Sequence, residues 1–469
     1  MVKAIQKKLS ESKTARWSVL ALVSFTMMCA YFISDIMSPL KTLLEKEIAD
    51  GGLGWTSMDF GVFNFSYGWF TVFLFMLIIG GIILDKWGTK FTGVLATGLM
   101  LVGVAIKYFV IEYTVSNPDF AAQTLPWLGN IHSSLLYISL GYATFCLGSE
   151  IAGITVTRII ARWFAGRELA LALGLQVATA RLGTAAAFVL CPMLPEWFDF
   201  QISAPVMVGL AIMCIGLITY LVFCVMDARL DKEESESNVE QEEPFRVRDI
   251  IDIIKVPAFW YIAILCLVFY SAVFPFLKNA TDFMFNKYPI DFDYASWIPA
   301  MLPFGTILLT PIFGRIYDKV GRGASLMLIG SVLLAFVHVV FAMPQITSVA
   351  VAIAMMIVLG IAFSLVPSAM WPAVTKIVEP KKLGSAYALI FWLQNVGLMG
   401  VPLLINWVLN EYCIVGTQVL DGATINKYDY TTPMVIFAVL SFSAILFALL
   451  LKREDKKKGY GLELPNIKK

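Results

Sequence analysis

A chain of 469 residues that is 59% hydrophobic and 15% charged, with a mean hydropathy of +0.77, is too apolar for the two or three soluble domains its length suggests. The 35 Lys and Arg against 34 Asp and Glu leave a net charge of +1, so no basic surplus exists to neutralise a nucleic-acid backbone, and nucleic acid is not an expected partner. Seven cysteines with no C-x-x-C pair, and only His132 and His338, give neither a disulfide framework nor a metal site. No metal, cofactor or enzymatic chemistry is expected.

The sequence predicts an all-α membrane protein of twelve transmembrane helices, because a hydrocarbon layer about 30 Å thick takes about 20 apolar residues at 1.5 Å each. The first six spans fall at 17–39, 60–84, 91–111, 135–159, 169–193 and 204–226. The second six fall at 257–279, 295–316, 324–343, 348–371, 384–409 and 431–451. The first is expected to be an uncleaved span, since no small-residue cleavage site follows it. This divides the chain into a six-helix half over 1–226, a linker over 227–256, a second six-helix half over 257–451 and a tail over 452–469. Lys and Arg concentrate on the side of the termini, with Lys41, Lys46, Lys287 and Lys427 alone on the other, which predicts both termini on the cytoplasmic side of the bilayer. Within the linker an acidic run precedes FRVRDIIDIIK. Its Phe245, Ile250, Ile253 and Ile254 oppose Arg246, Arg248, Asp249 and Asp252, as in a short amphipathic helix lying on the membrane face.

The loop after the second span reads GIILDKWGTK, with Gly81, Asp85, Lys86 and Gly88. The loop after the eighth reads GRIYDKVGRG, with Gly314, Asp318, Lys319 and Gly321. The four pairs share one offset close to half the chain, the mark of two repeated halves with a substrate site between them near the bilayer midplane. The glycines are expected to let helix ends approach, and each Asp to bond a helix N-terminus or a cation in a latch that breaks when the halves rock.

The pattern G-x-x-x-D-R/K-x-G resembles the major facilitator superfamily. Five further stretches (GSEIAG, ARWFAGRELALALGLQVATARLG, YSAVFPF, AMWPAVTKIVEPKKLGSAYALIFWLQNVGL and the ninth-span His338) are similar to its lysosomal dipeptide transporter branch. That resemblance implies alternating access, dipeptide cargo carried by uniport or proton coupling, and an accessory subunit as partner. The chain departs from other branches: the fourth span lacks the Arg-led motif of many proton-driven members, and the first lacks the E-x-x-E-R motif of proton-coupled oligopeptide transporters. The N-terminal segment shows no acidic dileucine sorting signal, which favours a prokaryotic plasma membrane over a lysosome. The Asn279-Ala-Thr281 sequon is read as chance.

Ionisable groups at membrane depth are costly and face a cavity or a partner. Lys107 and Lys278, near span ends, are expected to snorkel. Asp35 in YFISD is a candidate proton or amine site. Glu150 lies roughly 22 Å down the fourth span and Arg181 roughly 18 Å up the fifth, so their depths overlap. They are read either as a structural ion pair or as two poles for a zwitterion, Arg181 for a carboxylate and Glu150 for an ammonium. The resemblance likewise implies that they hold the two peptide termini. Tyr270, Trp371, Gln394 and Asn395 are candidates for the opposite wall, and His338 for a titrating group or a hydrogen-bonded core residue. The leading reading is a dipeptide transporter; a carrier of small carboxylates or amino acids, and a non-transporting sensor or scaffold, are the alternatives.

Overall fold

The computed structural model describes residues 12–126, 131–164, 168–199, 201–234, 251–379 and 382–465. The first half runs α1 (Lys13–Asp35), α2 (Lys41–Leu44), α3 (Ser57–Phe65), α4 (Gly68–Thr71), α5 (Met76–Ser116), α6 (Pro118–Ala121), the short strands β1 (Thr124–Leu125) and β2 (Ile131–His132), α7 (Ser133–Trp163), α8 (Leu169–Leu190), α9 (Leu194–Trp197) and α10 (Ala204–Glu234). The second runs α11 (Pro257–Lys287), α12 (Phe292–Ala295), α13 (Trp297–Val320), α14 (Gly323–Ala342), α15 (Val349–Ile377), α16 (Leu383–Tyr412), the antiparallel strands β3 (Ile414–Leu420) and β4 (Ala423–Tyr428), and α17 (Thr431–Lys458).

Among the described residues 11 helices are long and apolar enough to cross a membrane. The difference from twelve lies in the second span, expected as one helix over 60–84. The chain breaks there at Ser66–Tyr67 and again at 72–75. Local side chains compete for the backbone: Asn64 Nδ2 donates to Phe60 O at 2.8 Å and Ser66 Oγ to Phe63 O at 2.6 Å. The third pass then continues from the second within α5, whose 41 residues would reach about 60 Å if straight. Gly88, at φ 74° and ψ 177°, breaks it in two, a conformation that glycine adopts without a Cβ penalty.

Each half has its own core. One buries Val23, Phe63, Phe145, Ile160 and Phe223; the other buries Phe269, Phe276, Phe341, Val366 and Phe437. Phe188 of the first half packs into the second core, and Phe292 of the second into the first. The seam is tight between α3–α4 and α16: a Cβ at Gly68 would lie 2.1 Å from Met399 Sδ, so any larger residue there would have to displace that side chain.

The bundle has two ends, a hairpin face formed around β3 and β4, and a terminal face where both described chain ends lie. In the hairpin, Asp421 (φ 51°) and Gly422 (φ 83°) form the two-residue turn between Leu420 and Ala423, the left-handed pair a tight hairpin requires. On the terminal face the chain beyond α17 turns at Gly459 (φ 73°) and lies across the start of α14. There Leu462 O and Glu463 O accept from Gly323 N and Arg322 N at 2.9 Å each, and Glu463 Oε1 accepts from Ser325 N at 2.9 Å. Of the expected amphipathic linker helix, Phe245, Arg246, Arg248, Asp249 and Ile250 lie outside the described residues. Residues 251–253 form a helical turn whose Ile253 is buried in the second core, while Asp252 pairs with Lys255 and Lys382.

Candidate functional site

Glu150 sits on α7 facing the seam, half-buried, and accepts the Tyr67 hydroxyl on Oε1. Tyr67 lies in the break between α3 and α4, which turns its ring out of the helix line and toward the other half. Its oxygen is also 3.3 Å from the side-chain amide of Asn395 on α16. A phenol has one proton, shared here between Glu150 Oε1 and the more distant Asn395 Oδ1, both acceptors. Glu150, Tyr67 and Asn395 thus form one hydrogen-bonded chain across the two halves. Gln394, next in sequence, accepts from Cys266 Sγ at 3.4 Å, one helical turn before Tyr270 on α11.

Arg181 on α8 has a different setting. Its guanidinium carbon lies 5.3 Å from the Tyr31 ring centroid on α1, 5.2 Å from Phe274 on α11 and 5.2 Å from Phe363 on α15. These faces attract the cation. Ring faces accept no strong hydrogen bond, so the planar fork has its donors to offer a carboxylate. Behind the rings, Tyr270 packs edge-on to Phe363 at 5.7 Å, and its hydroxyl accepts from Trp371 Nε1 at 3.2 Å. Trp371 stacks on Phe391 at 4.8 Å.

Glu150 and Arg181 do not pair with one another among the described residues, so the structural ion pair is not formed in this arrangement. Each is instead turned to the second half, one toward an amide and the other toward an aromatic wall. The structure brings Glu150 to Asn395, and Arg181 to the wall that contains Tyr270 and Trp371. Tyr67, Tyr31, Phe274 and Phe363 escaped the sequence reading. Phe274 belongs to the YSAVFPF stretch, and the Ser66-Tyr67-Gly68 step is the sequence signal of a broken span.

Other candidates stand elsewhere. Asp35 lies toward the hairpin face, accepting from Thr184 Oγ1 at 2.9 Å and Lys278 Nζ at 2.8 Å. Lys278 therefore does not snorkel; it also donates to Ser34 O at 3.0 Å and ties α11 to α1. Lys107 does not snorkel either: it is 1% exposed, with its ammonium over the Tyr142 ring at 5.7 Å, because α5 and α7 cross closely at Gly103 and Gly141. His338 is deep in the second core, its Nδ1 2.9 Å from Ser441 Oγ, between Phe276 and Phe437. Asn279 is buried, as a chance sequon would be.

In the repeated loops, Gly88 and Gly321 (φ 75°) take left-handed φ values, while a Cβ on Gly81 or Gly314 would meet nothing within 4 Å. Close approach therefore does not explain the leading glycines. Asp85 pairs with Arg158 on α7, inside one half, with both side chains 41% exposed. Lys86 and Lys319 point outward, and Asp318 is half-buried beside Tyr317. No cluster of His, Cys, Asp and Glu able to hold a metal occurs among the described residues.

The profile described as Major Facilitator Superfamily matches residues 20–402 and 271–466. The mouse (Mus musculus) protein named lysosomal dipeptide transporter MFSD1 is 25% identical over 413 residues, covering 84% of this chain and 80% of its own. The Danio rerio protein of that name is 26% identical over 462 residues, covering 95% and 88%. Among solved structures, the nucleoside transporter NupG superposes with a TM-score of 0.66 at 16% identity, covering 93% of this chain and 99% of that one. The peptide transporter POT in complex with sulfate gives 0.65 at 14%, covering 95% of each. At such identities the structural likeness is one of fold.

Proposed function

The chain belongs to the major facilitator superfamily, a multi-pass membrane transporter and not an enzyme, and from that premise we propose that it carries small peptides, dipeptides foremost. The observation behind this reading is the separation of Glu150 from Arg181: two opposite charges at overlapping depth, each in its own setting, neither neutralised by the other. Arg181 takes the peptide carboxylate as a bidentate fork, and Glu150 takes the amino terminus. Charges spent on the termini leave the side chains to adaptable aromatic walls, so selection is by length rather than by side chain. The relatives named as dipeptide transporters support the same cargo. The excess of Lys and Arg on the terminal face supports a cytoplasmic position for it.

Liposomes containing the purified protein test this with labelled dialanine against alanine, trialanine and lactate. Dialanine flux, abolished by N-acetylation or C-amidation of the peptide, is the expected result. Lactate flux without dialanine flux would leave Arg181 as a binder of small carboxylates.

A further inference from the structure

On the hairpin face a compact cluster of charges is closed off from water between the two halves. Lys41 on α2 bridges two carboxylates: Nζ is 2.8 Å from Glu45 Oε1 in its own half and 2.8 Å from Asp282 Oδ2 on α11 in the other. Side-chain exposure is 0% for Lys41, 4% for Glu45 and 1% for Asp282. Tyr428 at the end of β4 places its ring 4.5 Å from the Lys41 ammonium and donates its hydroxyl to Glu45 Oε2 at 3.1 Å. Tyr430, just before α17, donates to Asp282. One cation against two carboxylates leaves one uncompensated negative charge in a dry site, a costly arrangement that one added proton relieves.

The hydrogen bonds decide where that proton goes. Asp282 is saturated: Oδ2 accepts from Lys41 and Tyr430, and Oδ1 accepts from Thr42 Oγ1 at 2.9 Å and Asn286 Nδ2 at 3.0 Å. A carboxylate has about four lone-pair sites, so none is left. Glu45 accepts only one bond on each oxygen, and the partner of Oε2 is a hydroxyl, which can turn from donor to acceptor. A proton on Glu45 Oε2 is therefore received with no hydrogen bond lost.

We propose that Glu45 is a proton-binding site whose occupancy closes the hairpin face of the transporter. The groups that face it are Lys41 on α2, Asp282 on α11, Tyr428 on β4 and Tyr430 before α17. Separating the halves at this end pulls Lys41 and Glu45 away from Asp282 and both tyrosines and wets the carboxylates. Burial, with Asp282 adding to it against the pull of Lys41, pushes Glu45 up to about 7 when the cluster is closed. In water a glutamate titrates near 4.3. A group raised in the closed form favours that form fully below the open-form value and ceases to do so as pH rises through about 7. Between those limits the closed-to-open ratio falls at most about tenfold per pH unit. The inference needs two halves that move and is independent of the cargo.

Spin labels at Ala49→Cys and Tyr412→Cys, exposed positions of opposite halves on this face, report the opening in lipid nanodiscs, with Cys214→Ser and Cys224→Ser removing competing thiols. The long-distance population should grow as pH rises from about 5 to about 9. Glu45→Gln, which mimics the protonated side chain, should hold the short distance throughout. Tyr428→Phe removes the cross-half hydroxyl that bonds Glu45 in either protonation state and should lower the closed population at every pH. A parent distribution indifferent to pH, a Glu45→Gln protein that titrates like the parent, or a Tyr428→Phe protein as closed as the parent would overturn the assignment. The parent titration stands even if a variant fails to fold.

Discussion

The hairpin face and the terminal face use their charged residues in opposite ways. On the hairpin face bonds join one half to the other, dry at Lys41 to Asp282 and Ser57 to Asn406, part-buried at Asp35 to Lys278 and wet at Lys46 to Asp421. On the terminal face Asp85 with Arg158, Asp227 with Arg162 and Trp163, and Lys382 with Asp252 each brace elements of a single half, and several are wet. A buried ion pair is strongly unfavourable to break once formed, whereas an exposed one is worth little. The halves are therefore stitched by side chains at the hairpin end, while the pairs named at the terminal end brace one half each.

The largest effect is expected where a dry stitch is cut. Asp282→Asn leaves Lys41 balanced by Glu45 but removes the carboxylate that takes the cross-half bond of Lys41 and those of Thr42 and Tyr430, charge-assisted bonds worth about 1.5–3 kcal/mol each to the closed arrangement. Lys41 should then react with an amine-modifying reagent, scored by mass spectrometry against the exposed Lys427, and a Lys41 that stays protected would show that other bonds hold the face shut. Next come the two poles. Glu150→Gln and Arg181→Lys should each weaken dialanine binding by about 1.5–3 kcal/mol, with Glu150→Gln blind to N-acetylation and Arg181→Lys less sensitive to C-amidation. Calorimetric titration with free and blocked peptides reads both, and equal responses to all of them would reduce the pair to structural residues.

Smaller again is Tyr67→Phe, which removes the hydroxyl between Glu150 and Asn395 at about 1 kcal/mol. Its loss of melting stability should not add to that of Asn395→Ala; full additivity would mean that the two residues do not share a bond across the seam. The smallest effect is expected from Asp85→Asn, whose exposed pair with Arg158 contributes about 0.2–1 kcal/mol. Peptide affinity should be unchanged while flux slows, and a drop in affinity matching that of Arg181→Lys would erase the contrast between the two faces.

Hydropathy made eleven of the spans legible, because crossing hydrocarbon demands an apolar run of fixed length whatever the packing. It could not show the break at Tyr67, since Asn64 and Ser66 act through hydrogen bonds that an apolar average does not register. The Asp421-Gly422 step between alternating Val419, Leu420, Ala423 and Ile425 was a readable hairpin signal that the span count passed over. Glu150 and Arg181 stood out because charge at depth is rare. Their partners did not, because Tyr67, Phe274 and Phe363 are ordinary span residues until the halves meet. Lys41, Glu45 and Asp282 were hidden for another reason. They sit at span ends, where charges are common, and only the fold seals them.

The strap beyond Gly459 has a practical corollary. Its backbone, through Leu462 O and Glu463 O, is hydrogen-bonded to the loop that carries the second copy of the repeated signature. Lys376 on α15 reaches over to hold Gly461 O at 3.1 Å and Leu464 O at 2.8 Å. The matching place in the first half is braced by a side chain, where Asp227 accepts from Thr89 Oγ1 at 3.2 Å. A reporter or affinity handle joined directly after Pro465 therefore hangs from the second repeated loop rather than from a loose end. Its drag would fall on α14 and, through Lys376, on α15, so a flexible spacer belongs between the strap and any fused domain before flux is compared between variants.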